Sequence, residues 1–163
     1  MNIAEIFSGL GMDETLITFL ISMLPVVELR LAIPAGVSLG LPVWRAALVS
    51  VVGNLLPAPF IIAFIRVFMD WLKTRSEHAR RFVAWLERRG TGPKADRVRQ
   101  YEFWGLVLLV AIPLPGTGAW TGSLVAALLD IRMKRALPPI VIGVVIAAIV
   151  VSLATSGVFE LVV

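Results

Sequence analysis

Residues 103–129 read FWGLVLLVAIPLPGTGAWTGSLVAALL, and this stretch decides the fold. It carries no charge, yet Pro113, Pro115, Gly116 and Gly118 cut it in the middle. The flanks are Phe103–Ile112, 10 residues, and Ala119–Leu129, 11 residues. Ten helical residues rise about 15 Å, half of a bilayer's hydrocarbon core. Two half-depth helices joined by a Pro/Gly turn make a re-entrant hairpin. The alternative is one full-length helix with a proline kink. Two prolines and two glycines within six residues exceed what a simple kink needs. Non-helical backbone at that depth must be buried in protein or line a wet cavity.

The rest of the chain places this stretch in a membrane. Of 163 residues, 58% are apolar and 16% charged, against about 25% charged in ordinary soluble domains. Mean hydropathy is +0.90. A soluble domain this small needs a polar surface that these residues cannot supply. Ala46–Ile65 and Ala136–Phe159 are uncharged runs of 20 and 24 residues, each long enough to span. Pro57 and Pro59 are expected to kink the first. Pro138 and Pro139 fall near the start of the second, where missing N–H donors do little harm. Residues 15–44 are interrupted by Pro25, Glu28, Arg30, Pro34 and Gly36, and read as a second broken hairpin.

The fold expected is therefore an all-α polytopic membrane domain over 1–163. Repeat 1 covers about 15–70, a basic linker 73–100, and repeat 2 about 103–160. Each repeat is a re-entrant hairpin followed by one transmembrane helix. A shift of 90 residues lays Pro25 on Pro115, Leu39 on Leu129, Arg45 on Arg135, Ala46 on Ala136 and Gly53 on Gly143. Paired interrupted segments in corresponding halves point to a transporter, with its substrate site between them.

Charge fixes the orientation. Residues 73–100 hold nine Lys/Arg and three acids. In the hairpin arrangement, one side of the membrane collects 73–100 and 130–135, with twelve basic residues. The other collects 1–14, 41–45 and 160–163, with Arg45 alone. Four plain spans would divide the charges four against nine. The positive-inside rule favours the hairpins, with the linker cytoplasmic, both termini outside and the inner membrane as location. Within the linker, Ala79, Phe82, Val83 and Leu86 recur at helical spacing among arginines, as in an interfacial amphipathic helix. Membrane lipids, not nucleic acid, are the expected partner of these charges. His78 reads as a solvated surface residue of this linker.

No cysteine and one histidine are present, and no hydrolase, Walker or metalloprotease motif occurs. Neither an enzyme, a metal site nor a cofactor is expected. Glu28 is the one carboxylate deep in an apolar stretch, and Arg30 lies beside it. Intramembrane charges cost about 2.5–3.5 kcal/mol each on insertion scales and mark function by default. Residues i and i+2 share a face in an extended or turning segment, not on a helix. The pair is either functional or a structural closure of the hairpin. Burial favours the protonated Glu28 and the Arg30 charge favours the ionised form, which makes Glu28 the candidate proton site. Arg66 is expected to snorkel to the inner interface. Asn54 offers an interhelical hydrogen bond or a substrate contact. Thr117, Trp120 and Thr121 either face substrate or satisfy the turn. The amides around Gly116–Gly118 are a candidate anion site.

PVVELRLAIPAG (25–36), GNLLP (53–57) and IPLPGTGAWTG (112–122) together resemble the small multi-drug export protein family, over about residues 15–157. That family is similar in turn to the DedA-like (VTT) superfamily. The resemblance implies two opposed re-entrant hairpins and translocation of lipids or lipid carriers, sometimes linked to protons. Glu28 matches the first-hairpin acid of that pattern. DedA-like proteins place arginines around the second hairpin, whereas 103–129 has none, which leaves Arg30 as the main buried cation. The expected activity is a transporter or flippase for an amphiphile, either an anionic lipid or polyprenyl phosphate, or a lipophilic drug. A non-transporting membrane scaffold is the alternative. Four membrane segments are few for enclosing a pathway, which points to a homodimer.

Overall fold

The computed structural model describes residues 13–75, 77, 80–81, 95–112 and 117–162. The expected linker helix, His78 and the turn residues Pro113–Gly116 lie outside the described residues. The elements are α1 (Glu14–Met23), α2 (Glu28–Ser38), α3 (Val43–Leu55), α4 (Pro57–Arg75), α5 (Ala95–Ala111), α6 (Ala119–Leu128) and α7 (Met133–Val162). Among the described residues there is no strand.

Two segments are long and apolar enough to cross a bilayer: Val43–Trp71, 29 residues, and Met133–Gly157, 25 residues. The first is α3 and α4 together, joined at Leu56 in helical torsions (φ −59°, ψ −42°). The interruption falls where expected, because Pro57 and Pro59 withhold the N–H groups that Gly53 and Leu55 carbonyls would accept. This span is longer than its uncharged run and takes in Arg45 and Arg66, whose long stems keep charge near a helix end. Pro138 and Pro139 lie inside α7, in its second turn. The carbonyls they leave without a helical donor belong to Lys134 and Arg135, both exposed residues near the helix start.

Phe60, Phe64, Leu108 and Leu153 are among many large apolar side chains turned outward. That outer surface suits lipid and would be a liability in water. The protein is a membrane protein. Its core is built from Leu29, Ile33, Ile62, Val110, Ile140 and Val144, drawn from four helices.

Helix pairing is the same in both halves. α1, α2 and α3 pack on one another, as do α5, α6 and α7; α3 packs on α7, and α4 on α6. At Gly53 a Cβ would sit 2.7 Å from the Phe19 carbonyl, and at Gly143 one would sit 2.9 Å from the Val107 carbonyl. The small residues let α1 meet α3, and α5 meet α7, at backbone contact. The turns after α2 and α6 also match, bond for bond, at the 90-residue offset. Leu41 N donates to Gly36 O (3.0 Å) and Ile131 N to Ala126 O (2.9 Å). Gly40 N donates to Val37 O (3.0 Å) and Asp130 N to Ala127 O (3.1 Å). Each is a Schellman end with one left-handed residue, Gly40 (φ 101°) or Asp130 (φ 52°).

Arg45 and Arg66 stand 21 residues apart on the first span, roughly 31 Å along the axis. Asp13, the N-cap of α1, accepts from Thr15 N at 3.2 Å. Hydrogen bonds from Thr15, with a smaller contribution from the Arg45 charge, hold the Asp13 carboxyl below its usual value. Arg66 does not snorkel freely. Its Nη2 lies 3.2 Å from Asp130 Oδ1, an ion pair by distance without hydrogen-bond alignment. Glu102 and Phe103 share a cavity of about 200 Å³ with Ile131, Arg135 and Pro138.

Candidate functional site at the meeting of two helix turns

The turn between α1 and α2 meets the broken region between α5 and α6. Residues 24–27 form the first turn, and Glu28 opens α2 with φ 49°, a left-handed torsion uncommon in a non-glycine residue. That torsion brings the Glu28 carboxylate to its i+2 neighbour although both residues belong to the helix. No extended segment is needed, and Pro34 lies within α2 without ending it. Arg30 Nη1 and Glu28 Oε2 are 3.0 Å apart. Glu28 is 3% exposed and Arg30 15%.

Arg30 reaches across to the other half. Its Nη1 also donates to the Thr117 carbonyl. Its Nη2 donates to Ile112 O (2.9 Å), Thr117 Oγ1 (3.0 Å) and Val110 O (3.4 Å). The last carbonyls of a helix have no partner within it and carry the negative end of its dipole. Arg30 therefore caps the C-terminal end of α5 in trans. Its Nε is buried and has no partner among the described residues.

Glu28 serves the opposite helix end. α6 begins after Gly118 (φ 140°) with no side-chain cap of its own. Trp120 N donates to Glu28 Oε1 at 3.4 Å, the second helical position that a local cap would occupy. A Cβ on Gly118 would overlap the Glu28 carboxylate. The Trp120 indole N–H donates to Met23 O, at the end of α1, at 3.1 Å. Next to the amides expected to bind an anion, Trp120 N thus already faces an internal carboxylate.

The sequence pattern of the family described as "Putative small multi-drug export protein" matches residues 28–150, from Glu28 through most of α7. The chain belongs to this family. Neither the curated proteins nor the solved structures gave a match. The family's name is that of an exporter, consistent with a transporter.

Of the residues singled out from sequence, Glu28, Arg30, Thr117, Gly118 and Trp120 come together. Pro113, Pro115 and Gly116 lie outside the described residues. Thr121 lines an apolar groove of about 690 Å³ beside the cluster, with Pro25, Pro57, Phe60, Phe64 and Trp120. Gly36 stands eight residues from Glu28, about 12 Å along α2. It serves packing instead: a Cβ there would come 2.7 Å from Thr18 Oγ1. Asn54 is 1% exposed, and its Oδ1 has no partner among the described residues, so no interhelical bond satisfies it. The carbonyls of Met23, Val110 and Ile112 were not foreseeable, because a backbone oxygen leaves no trace in composition.

Proposed function

We propose that this family member is a transporter that moves an amphiphilic substrate between two opposed re-entrant hairpins, α1–α2 and α5–α6. Asp13 near Arg45, and Arg66 paired with Asp130, support hairpins that start and finish at opposite ends of the first span. Glu102 and Arg135 beside one cavity support a second hairpin that leaves where it enters. Reciprocal contacts favour an inverted repeat: Arg30 reaches carbonyls ending α5, and Trp120, ninety residues later, reaches the carbonyl ending α1. Equivalent residues making equivalent contacts are the mark of a two-fold relation. In this arrangement 73–100 and 130–135 face the cytoplasm of an inner membrane, and no enzymatic step is involved.

The observation that carries the reading is a buried ion pair at the contact of two broken helices, the place where transporters bind their cargo. The groove of about 690 Å³ reaches Pro25 and Trp120 on either side of that pair, which suits the apolar part of an amphiphile. Glu28 is the proton site in this scheme. Purified protein in liposomes is expected to translocate fluorescent amphiphiles, either lipophilic cations or lipid phosphates, above the rate of empty vesicles. A Glu28→Gln protein that still folds is expected to lose the pH dependence of that rate; an unchanged profile removes Glu28 as proton site. A scaffold is the second reading, favoured by the use of both charges as helix caps. Absence of transport across a broad panel decides for it.

A further inference from the structure

The two charges at the hairpin junction are often weighed equally: an arginine suggests an anionic substrate and a glutamate a cationic one. Their surroundings are not equal. Around the Arg30 guanidinium stand Val110 O, Ile112 O, Thr117 O, Thr117 Oγ1 and Glu28 Oε2. All are oxygens from which the guanidinium accepts nothing and to which it only donates. Val110 and Ile112 add the negative end of the α5 dipole. Among the described residues of α1, α2, α6 and the apolar part of α5 from Phe103 on, Arg30 is the sole cation. Remove its side chain and what remains among the described residues is a carboxylate, a fan of carbonyls and the Thr117 hydroxyl, which already donates to Ile112 O at 2.7 Å. An incoming phosphate or carboxylate would meet the lone pairs of these oxygens. One amide donor beside the site, Trp120 N, already faces Glu28.

We propose that this junction is a binding site for a planar organic cation bearing N–H donors, a guanidinium or amidinium, and that Arg30 fills it in the resting protein. The acceptors are spread over several directions around one flat fork, a match for a guanidinium and a poor one for a spherical quaternary ammonium. The adjoining apolar groove shares Trp120 with the site, so a cation carrying a hydrophobic substituent fits both at once. This specifies the substrate class of the transport reading and rests on that reading for its physiological meaning. The site itself does not depend on transport.

Thermal unfolding of purified Arg30→Ala in detergent, titrated with ethylguanidinium, tests the site. The expected result is a saturable rise in midpoint at millimolar ligand, with half-saturation at least tenfold lower than for tetramethylammonium. Ethyl phosphate is expected to give no rise, and wild-type protein a weaker response to ethylguanidinium than Arg30→Ala, because Arg30 competes for the site. No saturable rise, or an equal response to tetramethylammonium or ethyl phosphate, overturns the proposal. Where Arg30→Ala does not fold, Arg30→Lys and Arg30→Gln are compared. Lys, which keeps a charge, is expected to melt higher than Gln; Gln equal to or above Lys overturns it. The readout involves no vesicle. A protein rescued by ethylguanidinium that moves nothing across liposomes keeps the cation site and loses the transport reading. One that transports without rescue loses the cation site alone.

Discussion

The two turns that meet at the centre of the molecule occupy equivalent places ninety residues apart and are chemically opposite. Glu28 corresponds to Gly118 and Arg30 to Trp120. The first turn brings two charged side chains; the described part of the second brings backbone groups with the uncharged Thr117 hydroxyl and Trp120 indole. Glu28 and Gly118 both have positive φ, and they touch. Two charged turns would repel or compete for the same space, and two uncharged ones would leave helix ends buried without partners. A charged turn set into an uncharged one satisfies both, since the broken α5–α6 region exposes one helix end of each sign.

The largest expected break in this complementarity is Arg30→Ala. It strands the Glu28 carboxylate and the α5 carbonyls together, and loss of one partner of a buried pair costs about 3–5 kcal/mol. Detergent or thermal unfolding checks it. Gly118→Val comes next, because its side chain must displace the carboxylate and adopt an unfavourable torsion, a strain of about 1–3 kcal/mol before the clash is counted. Ser123→Ala, on the same helix, is the control. Its hydroxyl is buried with no partner among the described residues, so the change is expected to be neutral or slightly stabilising. Equal effects at 118 and 123 would mean that the turn is not special.

The turns after α2 and α6 sharpen the same comparison at smaller scale. Gly40 takes its left-handed torsion without strain, whereas Asp130 takes it with a side chain that also pairs with Arg66. Asp130→Ala loses the pair and keeps the torsion, for a cost of about 1–2 kcal/mol. Asp130→Gly is expected to recover most of that loss. Smallest is Trp120→Phe, which removes one hydrogen bond to Met23 O and is expected to cost about 1 kcal/mol. Its shortfall relative to Arg30→Ala measures the asymmetry between the halves.

Much of this was legible in the sequence. Proline and glycine density between 113 and 118 marked the interruption, and α6 begins at Ala119 as the apolar flank suggested. The uncharged run around 46–65 marked the first span, although its ends extend past two arginines. What the sequence could not display was the mechanism of contact. Glu28 reaches Arg30 through a left-handed torsion that no propensity assigns to glutamate. Arg30 is held by carbonyls 80 to 87 residues away, which belong to the backbone and carry no residue signature. Arg66 and Asp130 lie 64 residues apart, and nothing in their sequence neighbourhoods pairs them; the fold brings them to 3.2 Å.

The central claim is that the two hairpins approach from opposite faces of the membrane. Because the chain has no native cysteine, it can be tested with two single substitutions at exposed positions, Ser38→Cys at the end of the first hairpin and Lys134→Cys after the second. Labelling of intact and inverted vesicles with an impermeant maleimide reads their sides. The expected result is modification from opposite faces, Lys134→Cys from the cytoplasm and Ser38→Cys from outside. Modification of both from the same face would mean four plain spans and would contradict the opposed hairpins.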